Sequence, residues 1–297
     1  MGQELDEKRW VTETVNEAQG FRTCLSAPLG VTTVDSTQDL AMFENPAFGL
    51  VMVLDGAIQV TSRDEFIYHE MMAHVPMFAH GAARQVLIIG GGDGGIAREV
   101  LRHSTVEALT LVEIDSAVVD LALSHFAEIS AGAFDDPRLN LTIADGAHFV
   151  RDTGAKFDVI IVDSPDPVGA GAVLFGVPFY RDCAQALAPG GVLVTQSGMP
   201  FLTPDWFAAH VRDQREALGA TRYFLSTVPS YTGGPMAHGF ACGNENVFLL
   251  DETQLGARYA EAGSFPLSYW SPSVHRAAFA LPPYIQRLAP SDAAARL

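Results

Sequence analysis

The sequence predicts an α/β protein in which a mostly parallel sheet, covered by helices on both faces, follows a small antiparallel β unit. Three observations carry this expectation. From Gln85 onward, short β-branched and aliphatic runs alternate with helical stretches, the mark of a sheet buried on both sides. The first run, Val86 to Ile89, strikes a glycine cluster at 90–95 and then a helix, which reads as an opening βαβ unit. Between Thr12 and about Ser62 the texture is instead short alternating runs broken by turn signals.

In chain order, DLAMFEN, GLVMVLDG and AIQVTS read as antiparallel strands, with Asn45-Pro46 and Asp55-Gly56 as the clearest turns. The expected division is a β domain over 1–66 and a larger domain over 67–297. A helix is expected from Tyr68 to about Ala79, and Pro76 puts its continuity in question. Five strands follow at 86–90, 108–113, 139–144, 157–163 and 191–197, with helices between them. A sixth at 221–228 and a return strand near 237–242 complete seven strands and suggest an antiparallel hairpin at the sheet edge. The Ala- and Pro-rich C-terminal tail is expected to pack on the outside.

Of 297 residues, 48% are apolar and 18% charged, which is globular rather than disordered composition. The formal net charge of −17 disfavours nucleic acid and anionic membrane as partners, since both are polyanions, and favours cationic ligands. Cys24, Cys183 and Cys242 are far apart and odd in number, which fits a reducing compartment rather than a disulfide framework. With no apolar leader and no run near the ~18 residues of a membrane span, a cytoplasmic location is expected.

Gly90, Gly92 and Gly95 have the G-x-G-x-x-G spacing of a dinucleotide site, but Asp93 lies inside the turn. A carboxylate there would repel a pyrophosphate and suit a ligand carrying positive charge. The carboxyl ends of the strands, where open α/β sheets bind ligands, supply Asp93, then Glu113 and Asp115, Asp145-Gly146, Asp163 with Asp166, and Gln196-Ser197. One Asp after a strand often serves as a helix N-cap. Several around one crevice repel each other unless a cation sits between them. Glu113, about 20 residues past the glycine turn, is placed to bind ribose hydroxyls. Asp145 can face a base or start a helix, and the sequence leaves both open.

Other chemistries fit less well. His69-Glu70-Met-Met-Ala-His74 has one residue too many for a zinc helix, because positions five apart do not share a face. A magnesium site built from the aspartates would lack a phosphate-binding loop, and no G-x-S-x-G elbow offers a nucleophile.

Between about Trp10 and Ile285 the chain resembles the spermidine synthases, the polyamine aminopropyltransferases. The stretches that carry the resemblance are FENPAFGLVMVLDGAIQVTSRDEFIYHEMMAHVP, VLIIGGGDGGIAREVLRH, LVEID, DDPRLNLTIADG, FDVIIVDSPDPVG, PSYTGG and VHRAAFALP. The resemblance implies a Rossmann-like, methyltransferase-type domain after a small β domain, assembled as a homodimer or homotetramer. It also implies transfer of the aminopropyl group of decarboxylated S-adenosylmethionine to a diamine, commonly putrescine, with release of 5′-methylthioadenosine. The donor is then a co-substrate, with neither cofactor nor metal required. Carried over, Gln38, Glu113, Asp145 and Gly146 match positions that hold the nucleoside, and Asp93 matches the carboxylate facing the aminopropyl amine. Asp163 matches the proton acceptor. Tyr68, His69, Asp166, Gln196 and Tyr231 match positions around the amine substrate, with Trp10 near the same pocket.

Four positions depart from the family pattern. Pro165 stands for a Thr, Ala170 for a Pro, Ser230 for a Thr and His238 for an aromatic residue. These leave the carboxylates in place and open the acceptor to putrescine, cadaverine, agmatine or spermidine. An S-adenosylmethionine methyltransferase and a non-catalytic polyamine-binding protein are the rival readings.

Overall fold

The computed structural model describes residues 10–16, 19–32, 39–164 and 169–290. Its β unit contains a hairpin of β1 (Trp10–Asn16) and β2 (Gln19–Cys24). Beside it stands a four-stranded antiparallel sheet of β3 (Ala27–Thr32), β4 (Leu40–Asn45), β5 (Gly49–Leu54) and β6 (Ala57–Thr61). The alternation seen in the sequence has a use on each face. Leu40, Met42, Met52 and Leu54 pack on the α/β unit, whereas Phe43, Val51 and Val53 pack toward Val11 and Leu25 of the hairpin. Asp55 and Gly56 both take positive φ, 50° and 81°, as a tight hairpin turn requires. In β6 the register slips: Met52 pairs with Val60 but Val53 pairs with Ile58. Gln59 is the extra residue of that β-bulge.

The chain continues through α1 (Glu65–His80), β7 (Gln85–Gly90), α2 (Gly95–Leu101), β8 (Ala108–Glu113), α3 (Ser116–His125), α4 (Ala127–Ser130), β9 (Leu139–Ile143) and α5 (Gly146–Asp152). Then come β10 (Phe157–Asp163), α6 (Val177–Ala186), β11 (Leu187–Gln196), α7 (Pro204–Leu218), β12 (Thr221–Ser226) and β13 (Met236–Cys242). Three short helices, α8 (Glu252–Glu261), α9 (Pro272–Ala278) and α10 (Pro283–Leu288), follow. The large sheet has the order β12-β13-β11-β10-β7-β8-β9. Strands β7 to β11 are mutually parallel, and β13 runs antiparallel between β11 and β12. The expected edge hairpin is therefore present, with its second strand turned inward.

Helix α1 passes through Pro76 unbroken. Residues 67–79 of α1 are all buried, so packing on every side outweighs the missing hydrogen bond, a penalty of ~3 kcal/mol. The C-terminal segment is better anchored than an outside tail. Glu70 of α1 accepts backbone N–H groups from Ser268, Tyr269 and Trp270 at 2.7–2.8 Å. Trp270 and Ile285 are buried.

Candidate active site

From β7 the chain builds outward through β8 and β9, then returns to the other side of β7 as β10. That reversal opens a crevice at the carboxyl ends of β7 and β10, where Gly90 pairs with Asp163. Gly90 takes φ 82°, and a Cβ on it would stand 1.9 Å from the Asp163 carbonyl oxygen. Only glycine lets the turn and the Asp163 strand approach this closely.

Asp93, Glu113, Asp145 and Asp163 all line one cleft over that crevice, together with Gly146. Asp115 does not join them: its side chain caps α3 by accepting the Ala117 N–H at 2.9 Å. Of the two readings the sequence left open for Asp145, the helix start is observed. Its Oδ1 caps α5 through Ala147 and His148, while the residue also borders the cleft. Glu113 accepts the N–H groups of Gly92 (3.2 Å) and Asp115 (3.0 Å). Gly146 is required for packing, since a Cβ there would meet Ile89 Cγ2 at 2.3 Å.

At the other end of the cleft, Tyr68 donates its hydroxyl to Asp163 Oδ1 at 2.6 Å. Tyr231 stands edge-on to Tyr68, with ring centroids 6.0 Å apart, and donates to the Gln59 carbonyl at 2.5 Å. Gln196 lines the same wall, its Oε1 accepting the Gly198 N–H. His69 lies between two carboxylates: Nδ1 is 2.5 Å from Glu65 Oε2, and Nε2 is 3.3 Å from Asp93 Oδ2. Gln38 and Asp166 fall outside the described residues.

Three of these carboxylates, Asp93, Glu113 and Asp163, line one cleft but differ in acidity. Burial pushes Asp163 up, the Asp93 charge adds to this, and Tyr68 and His69 only partly offset it, leaving Asp163 at about 6. Burial likewise raises Glu113 to about 7 against the backbone N–H groups that favour its ionised form. Burial would raise Asp93 too, but His69 and the Gly95 N–H hold it below the usual carboxylate range. His69 resists its own burial through Asp93 and Glu65, which lift it to about 10.

Sequence reasoning missed several lining residues. Glu13 of β1 and Gln59 of the β6 bulge both border the cleft, so the β unit contributes to the site. Trp10 instead stacks with Arg22, whose guanidinium lies 5.4 Å from the ring centroid. The bulge breaks the alternation of AIQVT, the one local signal available, whereas nothing around Glu13 marks it. Ser164 also lines the cleft, with its hydroxyl buried and unpartnered among the described residues. The zinc-like trio disperses. His69 faces Glu65 and Asp93, Glu70 holds the 268–270 backbone, and His74 bonds Glu99 (2.9 Å) and His103 (3.0 Å).

Two departures are visible. Ser230 keeps a hydroxyl bond, Oγ to Asp64 Oδ1 at 3.2 Å, and its N–H donates to Asp64 Oδ2 at 2.7 Å. His238 is fully buried behind Tyr68, stacks on Phe224 and bonds Ser226 at 2.7 Å; burial pulls it down to about 3, so it is neutral.

The family described as "Spermine/spermidine synthase domain" matches residues 65–251, and "Spermidine synthase tetramerisation domain" matches residues 9–62. The chain is 52% identical over 253 residues to a polyamine aminopropyltransferase of Ruegeria sp. (strain TM1040), covering 85% of this chain and 89% of that one. It is 49% identical to one from Sodalis glossinidius (strain morsitans), covering 84% and 86%. A crystal structure of spermidine synthase in complex with the transition state analogue AdoDATO superposes with a TM-score of 0.88 at 36% identity, covering 97% of this chain and 98% of that one. Spermidine synthase from Thermotoga maritima gives 0.85 at 35% identity, covering 97% of each. The chain belongs to the spermine/spermidine synthase family and is an enzyme of the polyamine aminopropyltransferase type.

Proposed function

We propose that the protein moves the aminopropyl group of decarboxylated S-adenosylmethionine to putrescine, giving spermidine and 5′-methylthioadenosine. The observation that carries this reading is the pair Asp93 and Asp163, which share one cleft but differ in acidity. A permanently ionised Asp93 suits the ammonium of the donor's propyl arm. A carboxylate at about 6 suits a group that must take a proton near neutral pH.

The chemistry needs such a base. An alkylammonium near pKa 10.4 is neutral in only about one molecule in 10³ at pH 7, a deficit on the order of 4 kcal/mol. Asp163 accepts the proton of the attacking amine, with Tyr68 holding the carboxylate in position. The amine nitrogen forms a bond to the propyl carbon, the carbon–sulfur bond breaks, and its electron pair leaves a neutral thioether. Because a sulfonium is already an activated leaving group, no cofactor is invoked. Glu113 binds the ribose and Asp145 with Gly146 the base, joined by Gln38. Tyr231, Gln196, His69 and Asp166 shape the amine end, and the β unit over 1–66 completes the wall ahead of the catalytic unit over 67–297. Assembly as a homodimer or homotetramer is part of the proposal, and the tetramerisation-domain match over residues 9–62 supports it.

Incubating the purified protein with decarboxylated S-adenosylmethionine and a panel of putrescine, cadaverine, agmatine and spermidine tests the reading. Putrescine is expected to give the fastest methylthioadenosine release. No release with any amine overturns the reading, and methyl transfer from ordinary S-adenosylmethionine would replace it with the methyltransferase alternative.

A further inference from the structure

His69 carries a carboxylate on each ring nitrogen, Glu65 on Nδ1 and Asp93 on Nε2. An ionised carboxylate only accepts hydrogen bonds, so both ring nitrogens must carry hydrogen and the ring is an imidazolium. Glu65 is itself fixed. Arg98 of α2 donates from Nη1 and Nη2 to its two oxygens at 3.1 and 3.0 Å, and also to the Ile129 carbonyl at 2.6 Å. Burial opposes ionisation of Glu65, yet His69 and Arg98 together hold it below the usual carboxylate range. On the other side, Asp93 has Oδ1 held by the Gly95 N–H at 2.7 Å and Oδ2 by His69. The remaining groups facing His69 are Tyr68, edge-on at 5.8 Å, and the Asp163 charge across the cleft.

We propose that Glu65 is a positioning residue for aminopropyl transfer: through the chain Arg98–Glu65–His69 it keeps an imidazolium against Asp93, fixing that carboxylate's orientation and ionisation so that it receives the donor's ammonium arm. The proposal rests on the aminopropyl-transfer reading and deepens it by naming what sets the donor-arm carboxylate apart from the base. The sign of the effect follows from the charge. Glu65→Gln removes one of the two carboxylates that hold the ring as an imidazolium, so His69 goes neutral at a lower pH than in wild type. A neutral ring still donates Nε2–H to Asp93 while Nδ1 accepts from the Gln amide, but Asp93 then loses its counter-charge. Acid restores the imidazolium and the charged bond with it.

The test compares donor kcat/KM, at saturating putrescine, for wild type and Glu65→Gln. Asp163 takes up its proton at acid pH, where His69 is an imidazolium in both enzymes, so the ratio of the two cancels that titration. The ratio is expected to fall ~10-fold at high pH, the ~1.4 kcal/mol scale of a lost neighbouring charge, and to recover as pH drops from about 9 to about 6. Affinity for 5′-methylthioadenosine, which lacks the ammonium arm, should be the same in both proteins at each pH. A pH-independent ratio, or an equal loss of methylthioadenosine affinity, overturns the positioning role. Should the variant fail to fold, magic-angle-spinning ¹⁵N NMR of histidine-labelled wild type decides the matter, with the His69 signals identified by their absence in His69→Gln. Two protonated nitrogens on His69 at neutral pH support the proposal and one bare nitrogen overturns it. That measurement needs no turnover, so it is separate from any failure of the amine panel.

Discussion

Asp93 and Asp163 face the same cleft, yet one is held ionised and the other is pushed to about 6. The difference lies in their partners. Asp93 has an imidazolium and a backbone N–H, whereas among the described residues Asp163 sets the Tyr68 hydroxyl and the more distant His69 charge against the repulsion of Asp93 itself. A crevice of like charges thus becomes two tools, an anchor for a cation and an acceptor for a proton, once a counter-charge is built behind one of them.

The sharpest way to break this division is at the base. Asp163→Asn should cut turnover ~10²–10⁴-fold, as loss of a general base does, while donor binding measured by calorimetry persists. Full activity in that variant would refute the role assigned to Asp163. The matching change at the anchor, Asp93→Asn, should instead weaken donor binding by roughly 10- to 100-fold, the scale of a charged hydrogen bond, and leave methylthioadenosine affinity intact. An equal loss for both ligands would mean that Asp93 shapes the turn rather than reading the ammonium.

The smallest effect concerns pH. Turnover at saturating donor should fall as pH drops through about 6, where Asp163 takes up a proton, whereas Asp93, held below its usual range, stays ionised. Tyr68 favours the ionised form of Asp163, so Tyr68→Phe should move the acid limb of the rate profile to higher pH with a few-fold loss near neutrality. A limb that stays in place, or moves down, would separate Tyr68 from the base.

Most of the sheet was legible because buried parallel strands must be continuously apolar, as Val86–Ile89 and Val159–Val162 are. Strand ends were legible too, since a carboxylate after such a run has few reasons to be there. What local pattern could not do was sort Glu113 from Asp115, two acids at one strand end, one facing the cleft and the other capping α3. Pro76 misled for a related reason, because a helix buried all round is held by contacts far away in sequence. Glu13, Gln59 and Glu65 were missed because their meaning is tertiary. Glu13 and Gln59 reach the cleft from the two smaller sheets, and Glu65 acts through His69.

Asp64 ties the two sheets together. It accepts from Thr61 Oγ1 at 2.6 Å at the end of β6, and from the N–H and hydroxyl of Ser230 in the loop between β12 and β13. One residue further on, Tyr231 reaches back to the bulge carbonyl of Gln59. Swinging this loop away from the cleft would strip a buried carboxylate of its two Ser230 donors, a heavy cost in a dry setting. The Tyr231 wall therefore behaves as masonry rather than as a door, and substrates and products must pass along another side of the cleft.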